Sequence, residues 1–325
     1  MLGPGVDFPD LFGANAPLTN NAQLRNRGWE LTINHHGKIG KEIEYNIGGS
    51  ISDATAQVTA YENPTGTKPN SNWYNGKMVG EIWGYRTDGL IKTQQQADEY
   101  NRTHDNHFLT TQKWTPGDIA FKDLNNDHKI NNGSNKLGDM GDMTIIGNST
   151  PRYQYTINGD ISWKGLSLSF MFQGVGKRDW SPLYNIYFWG CSSYAQVTVF
   201  KEHLDYWSET NPNAYYPKPY INTAGAVKQY NAKTSAYATD QYLQNAAYCR
   251  LKNLTISYTL PKHLIQKIKL QQIRIFASGE NLLTFTKLKG MFDPEVIFAN
   301  NNYNQEGGKQ YPLNKVYSLG LTVNF

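Results

Sequence analysis

Strict alternation of apolar and polar residues is the feature that most constrains the fold of this chain. Between Tyr153 and Trp163 the odd positions are apolar or glycine, and the even positions are polar. A β-strand sends successive side chains to opposite faces, so this segment predicts a strand with one apolar face and one wet face. The alternation resumes from Leu166 to Phe172 after the turn Lys164-Gly165, which predicts a hairpin.

Five more segments follow the same pattern and bring the predicted total to seven strands: 29–34, 43–51, 248–260, 273–277 and 317–325. In 248–260 the phase of the pattern places Tyr248 on the same face as Leu254 and Ile256. Short connections are predicted near 35–42, 164–165 and 261–270, the last with a short helical turn. Long connections are predicted at about 61–152, 174–243 and 284–313.

Short and long connections in alternation favour an outer-membrane β-barrel, in which short turns face the periplasm and long loops face outside. The apolar face of each strand would then meet lipid, with aromatic residues such as Trp29, Tyr153 and Trp163 at the two interfaces. A soluble β-sandwich also alternates, but compact domains seldom place such long loops at one end. The terminal Phe325, on a strand running towards the periplasm, is expected to be a membrane-assembly signal.

Composition excludes several other classes of protein. The net charge is only +4, so no nucleic-acid partner is expected, because such proteins carry a basic stripe. The stretch 180–200 has no charged side chain, but its many polar residues argue against a membrane helix. The two cysteines, Cys191 and Cys249, are too few for a disulfide scaffold or a cysteine zinc site, and no pairing between them is predicted.

Seven ordered blocks of sequence resemble the C-terminal part of SusC/RagA-type TonB-linked outer-membrane proteins. They are NRGWEL (26–31), GYRTDGL (84–90), PGDIAFKDLN (116–125), RLKNLT (250–255), SGENLLT (278–284), DPE (293–295) and LGLTVNF (319–325). Each block is weak by itself, but together and in order they span nearly the whole chain. The fold class that follows is all-β: about seven antiparallel strands from the C-terminal portion of a 22-stranded transmembrane barrel with long extracellular loops.

The resemblance implies a nutrient importer of the Gram-negative cell outer membrane and no enzyme activity. Such importers take up glycans or peptides together with a SusD-type surface lipoprotein, and the TonB complex acts on an N-terminal plug. Expected partners of this chain are therefore that lipoprotein, the lipid bilayer and the outer-membrane assembly machinery. The resemblance places no segment of the chain (1–325) on the family's signal peptide, TonB box, plug or first strands. The chain is accordingly expected to be a fragment that does not transport alone.

A calcium site is the one cofactor that the residues suggest. Asp123, Asn125 and Asp127 occupy alternate positions, as in the loop pattern D-x-[DN]-x-[DN], and the Lys129 carbonyl would be a further oxygen ligand. Position 12 of the loop is a serine, so Asp142 or Asp139 would have to supply the missing acid. The alternative is an Asp/Asn-rich surface turn held by hydrogen bonds between side chains and backbone.

Aromatic residues in the predicted second long loop are candidates for contact with substrate or with the lipoprotein, since Tyr and Trp serve at interfaces. They are Trp180, Tyr184, Tyr187, Phe188, Trp189 and Tyr194. Packing within the loop is the alternative.

The pairs His35-His36 and His104-x-x-His107 lack a third metal ligand placed by spacing. No catalytic motif is present, but Asp and Glu are common enough to leave a glycosidase carboxylate pair open. A secreted β-rich carbohydrate-active enzyme and a sugar-binding β-sandwich are therefore the rival hypotheses.

Overall fold

The computed structural model describes residues 19–109, 112–182, 200–219, 238–297 and 311–325. The strands in these ranges are β1 (Gln23–Ile39), β2 (Ile43–Ala60), β3 (Glu81–Tyr85), β4 (Thr87–Leu90), β5 (Ile119–Phe121), β6 (Met143–Asn148), β7 (Arg152–Trp163), β8 (Leu166–Lys177), β9 (Asp179–Trp180), β10 (Gln244–Asn245), β11 (Tyr248–Thr259), β12 (Gln272–Thr286) and β13 (Val316–Asn324). The α-helices are α1 (Gln94–Thr103) and α2 (Lys262–Ile265), with short 3₁₀ turns at Lys201–Leu204 and Gln266–Ile268. No helix in this part of the chain is long and apolar enough to cross a membrane.

The main element is one seven-stranded sheet in the order β1-β2-β7-β8-β11-β12-β13, in which all neighbours are antiparallel. The seven strands predicted from alternation are therefore confirmed. Three small sheets of two strands each (β3 with β6, β4 with β5, β9 with β10) belong to the long connections. Below, the lower end of the sheet is the end with the short connections, and the upper end is the end with the long ones.

The turn between β7 and β8 shows why the lower connections are short. Lys164 has φ +47° and Gly165 has φ +88°, and a two-residue turn with both φ values positive matches the twist of the strands it joins. Gly165 also lies so close to β11 that a Cβ atom there would come within 2.6 Å of the Thr259 carbonyl oxygen. The hairpin predicted at this position is thus fixed by local backbone chemistry.

Cross-strand register gives the sheet one polar and one apolar face along its whole width. One row on the polar face consists of His36, Asn46, Asp160, Ser169, Thr255, Ser278 and Ser318. The next row, on the apolar face, consists of Gly37, Tyr45, Ile161, Leu168, Ile256, Ala277 and Leu319. The period of two therefore holds in register from the first strand to the last.

No second layer of protein covers the apolar face in the part of the chain that the structure describes. Ile33, Ile275 and Leu319 are 63%, 52% and 87% exposed, and a sandwich would bury such residues. On β2 the apolar positions run from Ile43 to Ile51, which is nine residues, and a tilted membrane-spanning strand needs about 9–11. The face predicted to meet lipid thus has the length that a membrane strand requires.

One expectation about the faces is wrong. Tyr248 was expected beside Leu254, but the register shifts between Leu251 and Asn253, and Lys252 is the extra residue relative to β8. Such a β-bulge reverses the phase of all residues beyond it. Tyr248 and Arg250 therefore lie on the polar face, opposite Val175 and Gln173, while Leu251 stays on the apolar face.

The hydrophobic core of the described chain lies in the long connections and not in the sheet. The connection between β2 and β7 contributes Tyr85, Trp114 and Phe121, which are at most 1% exposed. The connection between β8 and β11 adds Trp180 and Tyr216, among others. The connection between β12 and β13 adds Leu288, Phe292 and Ile297. Three connections far apart in sequence thus share one core at the upper end.

A buried charge cluster fastens this loop core to the polar face of the sheet. Arg250 of β11 is 3% exposed, and its guanidinium donates to Asp293 Oδ1 (2.7 Å) and lies 3.0 Å from Glu295 Oε1. Lys252 donates to the other oxygen of Glu295 (3.0 Å), and Arg250 Nε donates to Thr284 Oγ1 (2.8 Å). The acidic residues of the segment 293–295 thus point at the polar face of the sheet and not at solvent.

Arg178 makes a second set of hydrogen bonds to the same part of the loop core. Its guanidinium donates to the backbone oxygens of Ile297 (2.7 Å) and Pro294 (3.3 Å), and Nε donates to that of Ser149 (3.3 Å). Burial lowers the pKa of Arg178. All three long connections therefore meet at this side chain, because Arg178, Ser149 and Ile297 belong to different ones.

We expect Leu168→Arg to hinder assembly of the barrel and Ser167→Arg to be tolerated. The two residues are adjacent on β8 but face opposite sides, and arginine in the apolar band costs about 2–4 kcal/mol near the bilayer midplane. The measurement is the amount of heat-modifiable barrel in outer membranes of cells that express each variant within the protein carrying this sequence. Equal amounts for the two variants would contradict the assignment of the faces.

We expect Asp293→Ala to lower the free energy of unfolding by about 3 kcal/mol, because it leaves the buried Arg250 short of a partner. Asp88→Ala is the control, since Asp88 is exposed and its pair with Lys122 is worth less than about 1 kcal/mol. Denaturant titration followed by tryptophan fluorescence measures both.

Burial pushes the pKa of Asp293 up, but the hydrogen bonds from Arg250 and from backbone N–H groups outweigh it and keep the pKa low. The contribution is therefore present above the ordinary carboxyl pKa and is lost as the pH falls through the lowered value.

Candidate functional site

The polar face of the sheet is a wall of side chains that form hydrogen bonds with one another across strands. Ser50 and Thr156 share a hydrogen bond of 2.6 Å between their hydroxyl oxygens. Asn46 Nδ2 donates to Asp160 Oδ1 over 3.3 Å, and Arg274 donates to Ser257 Oγ over 3.0 Å. Such a surface suits contact with water and polar solutes. The charge cluster around Arg250 lies at its upper end, where the loop core begins.

The turn predicted to bind calcium is a compact set of side chain–backbone hydrogen bonds. Asp123 accepts from the N–H groups of Asn126 (2.6 Å) and His128 (2.8 Å) with its two oxygens. Asn125 accepts from the N–H of Asp127 (3.0 Å), and Asp127 accepts from that of Lys129 (2.8 Å). This pattern lets Asn126 and His128 adopt φ values near +60°, where glycine is usual.

Asp142, one of the two acids considered as the further calcium ligand, lies against this turn and is fully buried. Its two oxygens accept the N–H groups of Leu124 (2.7 Å) and Asn131 (3.0 Å), which flank the turn on both sides. Burial raises the pKa of Asp142, although the two hydrogen bonds oppose the shift. Asp139 instead accepts from the N–H of Ser134, further along the loop.

The oxygen atoms of this turn are the kind of ligand that a hard cation prefers, but the carboxylate groups do not converge on one position. Among the described residues there is no group of three or more His, Cys, Asp or Glu side chains that could hold a metal ion. The hydrogen bonds that the alternative of a surface turn requires are present. Calcium binding at Asp123, Asn125, Asp127, Lys129 and Asp142 stays a prediction.

The same turn borders an open cleft of about 520 Å³ next to the end of α1. Its lining includes His104, His107, His128, Lys113, Lys129 and Asp127. The ring of His104 stacks on Tyr100, with centroids 4.5 Å apart, and so packs against the helix. The structure thus brings the pair His104-x-x-His107 next to the turn, which spacing alone did not indicate.

The aromatic residues predicted for substrate or partner contact are only partly described. Trp180 is 3% exposed and packs edge-on against Phe292 of the loop core, with ring centroids 4.8 Å apart. Direct contact at Trp180 would require this core to open. Tyr184, Tyr187, Phe188, Trp189 and Tyr194 lie outside the described residues, as does Cys191. Cys249 forms no disulfide within the described residues, so pairing with Cys191 is not tested.

Phe325, predicted as an assembly signal, is 89% exposed and follows directly on β13. Its place at the lower end of an edge strand leaves the ring accessible to another protein. The role of Phe325 in assembly stays a prediction.

Sequence reasoning missed a cluster of tyrosines around a lysine in the loop core. The ammonium group of Lys289 lies 3.5 Å from the ring centroid of Tyr215 and 4.7 Å from that of Tyr216, distances at which a cation is attracted to the ring face. Burial lowers the pKa of Lys289. The Tyr242 hydroxyl donates to the Tyr215 backbone oxygen over 3.0 Å. The signal was the adjacent Tyr215-Tyr216 pair, but nothing local pointed to Lys289.

No family model matches the chain, but the curated proteins similar to it are TonB-dependent receptors. It is 26% identical to the TonB-dependent receptor P3 of Formosa agariphila, over 98% of this chain and 30% of that protein. It is 24% identical to the TonB-dependent receptor SusC of Bacteroides thetaiotaomicron, over 98% of this chain and 28% of that protein. The chain therefore spans about 30% of the length of these curated relatives.

Solved structures agree with the fold. The structure of the RagAB peptide transporter superposes with a TM-score of 0.64 at 23% identity, over 98% of this chain and 31% of that one. The RagAB peptide importer in its open-open state gives a TM-score of 0.66 at 21% identity, over 100% of this chain and 31% of that one. The resemblance seen in the sequence blocks is thus confirmed: the chain is homologous to SusC/RagA-type TonB-dependent receptors and corresponds to a part of their β-barrel.

Proposed function

We propose that this chain forms part of the wall and outer loops of an outer-membrane importer, and that the whole protein takes up glycans or peptides. The observation that carries the proposal is the two-faced sheet. Its apolar face is exposed across seven strands in register, while hydrogen-bonding side chains line the opposite face. Lipid on one side and a water-filled lumen on the other would account for both faces.

The relatives support import over the rival functions. SusC and P3 are TonB-dependent receptors, and RagAB is a peptide transporter. An enzyme or a sugar-binding sandwich would bury the apolar faces of its sheets, whereas Ile33 and Leu319 are exposed here. We therefore propose that the chain has no enzyme activity of its own.

Three partners follow from the proposal. A SusD-type lipoprotein would cover the upper end, where the shared loop core provides a firm platform. The lipid bilayer would surround the apolar face. The TonB complex would act through a region of the importer other than the strands and loops described here, because these relatives are about three times as long as the chain.

The sidedness is tested by inserting an epitope tag after Gly138 or after Gly40 in the protein carrying this sequence. Both glycines lie in exposed turns with positive φ, and a Cβ atom at either would meet nothing within 4 Å, so the two insertions are matched. Gly138 is in a long upper connection and Gly40 is in a short lower turn. We expect antibody to label intact cells with the tag at 138, and cells with the tag at 40 only after the outer membrane is opened.

Labelling of both tags, or of neither, in intact cells would contradict the proposed orientation.

The substrate class is tested in the source bacterium by deleting the gene and supplying labelled oligosaccharides or labelled peptides. We expect loss of uptake for one of the two classes and restoration by the intact allele. Unchanged uptake of both would contradict a role in import.

Calcium binding is tested by isothermal titration of the purified protein with calcium chloride. If the turn is a calcium loop, Asp127→Asn should weaken the affinity about tenfold or more, because affinity in such loops depends on the count of charged ligands. Asp88→Asn changes the same charge at another exposed site and should leave the titration unchanged. Absence of saturable heat in the unmodified protein would leave the turn as a purely hydrogen-bonded one.

A further inference from the structure

We propose that the arginine cluster at the upper end of β1, β2 and β7 (Arg25, Arg27 and Arg152) is a site for the phosphate group of an anionic outer-leaflet lipid. Arg25 and Arg27 would bind the phosphate, and Arg152, held by Asp53, lies beside them. The inference rests on the proposed function, because it needs the apolar face to lie in an outer membrane. It adds a specific lipid contact to the non-specific band of apolar residues.

The register places two of these arginines on the outer face. Trp29 lies opposite Asp53 and Leu31 lies opposite Ile51, with no register shift between Arg25 and the lower end of β1. Arg25 and Arg27 therefore share the face of Trp29 and Leu31 by the period of two. Both arginine side chains are exposed. They project from the wall towards the surroundings and not into the lumen.

Arg152 reaches the same face from two strands away. It binds Asp53 through Nε and Nη2, which engage both carboxylate oxygens. Its guanidinium also lies 5.4 Å from the ring centroid of Tyr153. Tyr153 has φ +54° and packs beside Gly176, next to the pair formed by Tyr155 and Gly174 on the apolar face. The guanidinium is thus held at the level of Trp29 and Asp53.

The arginine cluster lies at the level expected for the headgroup layer of the lipids. The highest continuous apolar row of the sheet contains Leu31, Ile51, Tyr155, Gly174, Cys249 and Phe285. Trp29 is the next outward residue on β1, at a level where aromatic belts occur. Arg27 follows about 7 Å further along the strand, and the tilt of the strand shortens this along the membrane normal. The flexible stems let the guanidinium groups reach the interface.

The charges at this level are unbalanced. Asp53 is the acid on this part of the face, and Arg152 already occupies both of its oxygens. Arg25 and Arg27 have no ion pair within the described chain, which leaves a local excess of two positive charges. At the lower end the charges beside Trp163 are matched, since Lys164 pairs with Glu42 at 3.0 Å.

Guanidinium groups fit this role chemically. Their planar fork donates two parallel hydrogen bonds to a phosphate, and they are more weakly hydrated than ammonium groups. Arg25 and Arg27 are two residues apart on one strand face, so they can engage one phosphate or two neighbouring ones. The apolar row directly below would pack against the acyl chains of the same lipid.

The test titrates the purified protein in neutral detergent with diphosphoryl lipid A and measures the dissociation constant by native mass spectrometry. The same lipid without its phosphates is the comparator. We expect the phosphorylated lipid to bind more tightly, and R25Q/R27Q to weaken it about 30-fold, from about 1 kcal/mol for each basic residue. K262Q/K267Q removes the same charge from the lower connection and should leave binding unchanged.

R25K/R27K keeps the charge but removes the fork, and we expect it to lose only part of the affinity. A heat-modifiability gel checks that each variant is folded, and the R27Q single variant replaces the double one if that fails to fold. Equal affinity for the two lipids, or R25Q/R27Q binding like the unmodified protein, would overturn the inference. The detergent titration does not depend on cellular location, so this result and failure of the epitope experiment are distinguishable.

Discussion

The ladder of backbone hydrogen bonds that joins all seven strands is the interaction on which the rest of the structure depends. Most sheets are held in place by a layer packed on one face, but no described residue forms such a layer over the apolar face here. In lipid each unpaired backbone group would cost several kcal/mol, and this cost would keep the strands paired, while the alternating pattern and the turns set their register. The outer edges of β1 and β13 have no neighbour within the described chain. The relatives are about three times as long, and closure of their barrel would pair these edges.

The loops supply the packing that the sheet lacks. Side chains from three connections form one core, Arg178 joins the three connections to one another, and Arg250 attaches the core to the wall. A buried ion pair is weak evidence for added stability, but its hydrogen bonds fix one orientation of the partner segments. The segment 293–295 is therefore held over the polar face and not over the apolar one. The upper mouth of the proposed importer is thus built from ordered loops, which suits a surface that a partner protein has to recognise.

The two faces of the wall have different chemical tasks under the proposed function. The polar face offers neutral hydrogen-bonding groups such as Ser50, Thr156 and Asn46, which interact with polar solutes without holding them strongly. The apolar face ends at the level of Trp29, and the arginines above it carry the excess positive charge. A single period-two pattern thus produces both surfaces, because every second residue faces the other solvent.

Sequence by itself determined the seven strands of the main sheet, most of their faces and the short turns, because alternation and turn chemistry act over a few residues. The hairpin at Lys164-Gly165 and the apolar positions of β7 and β8 could be assigned in this way. Spacing left Asp139 and Asp142 as alternatives for the acid beside the Asp/Asn turn, and only the structure shows that the Asp142 oxygens accept the N–H groups that flank this turn.

Tertiary structure alone decided the bulge at Lys252, the partners of Arg250 and the shared core of the loops. These depend on contacts between residues 40 or more positions apart, such as Arg250 with Asp293 and Trp180 with Phe292, and local pattern carries no information about them. The bulge puts Tyr248 and Leu254 on opposite faces because one added residue reverses the phase between the two sides of the bulge, an effect that the alternating sequence does not reveal.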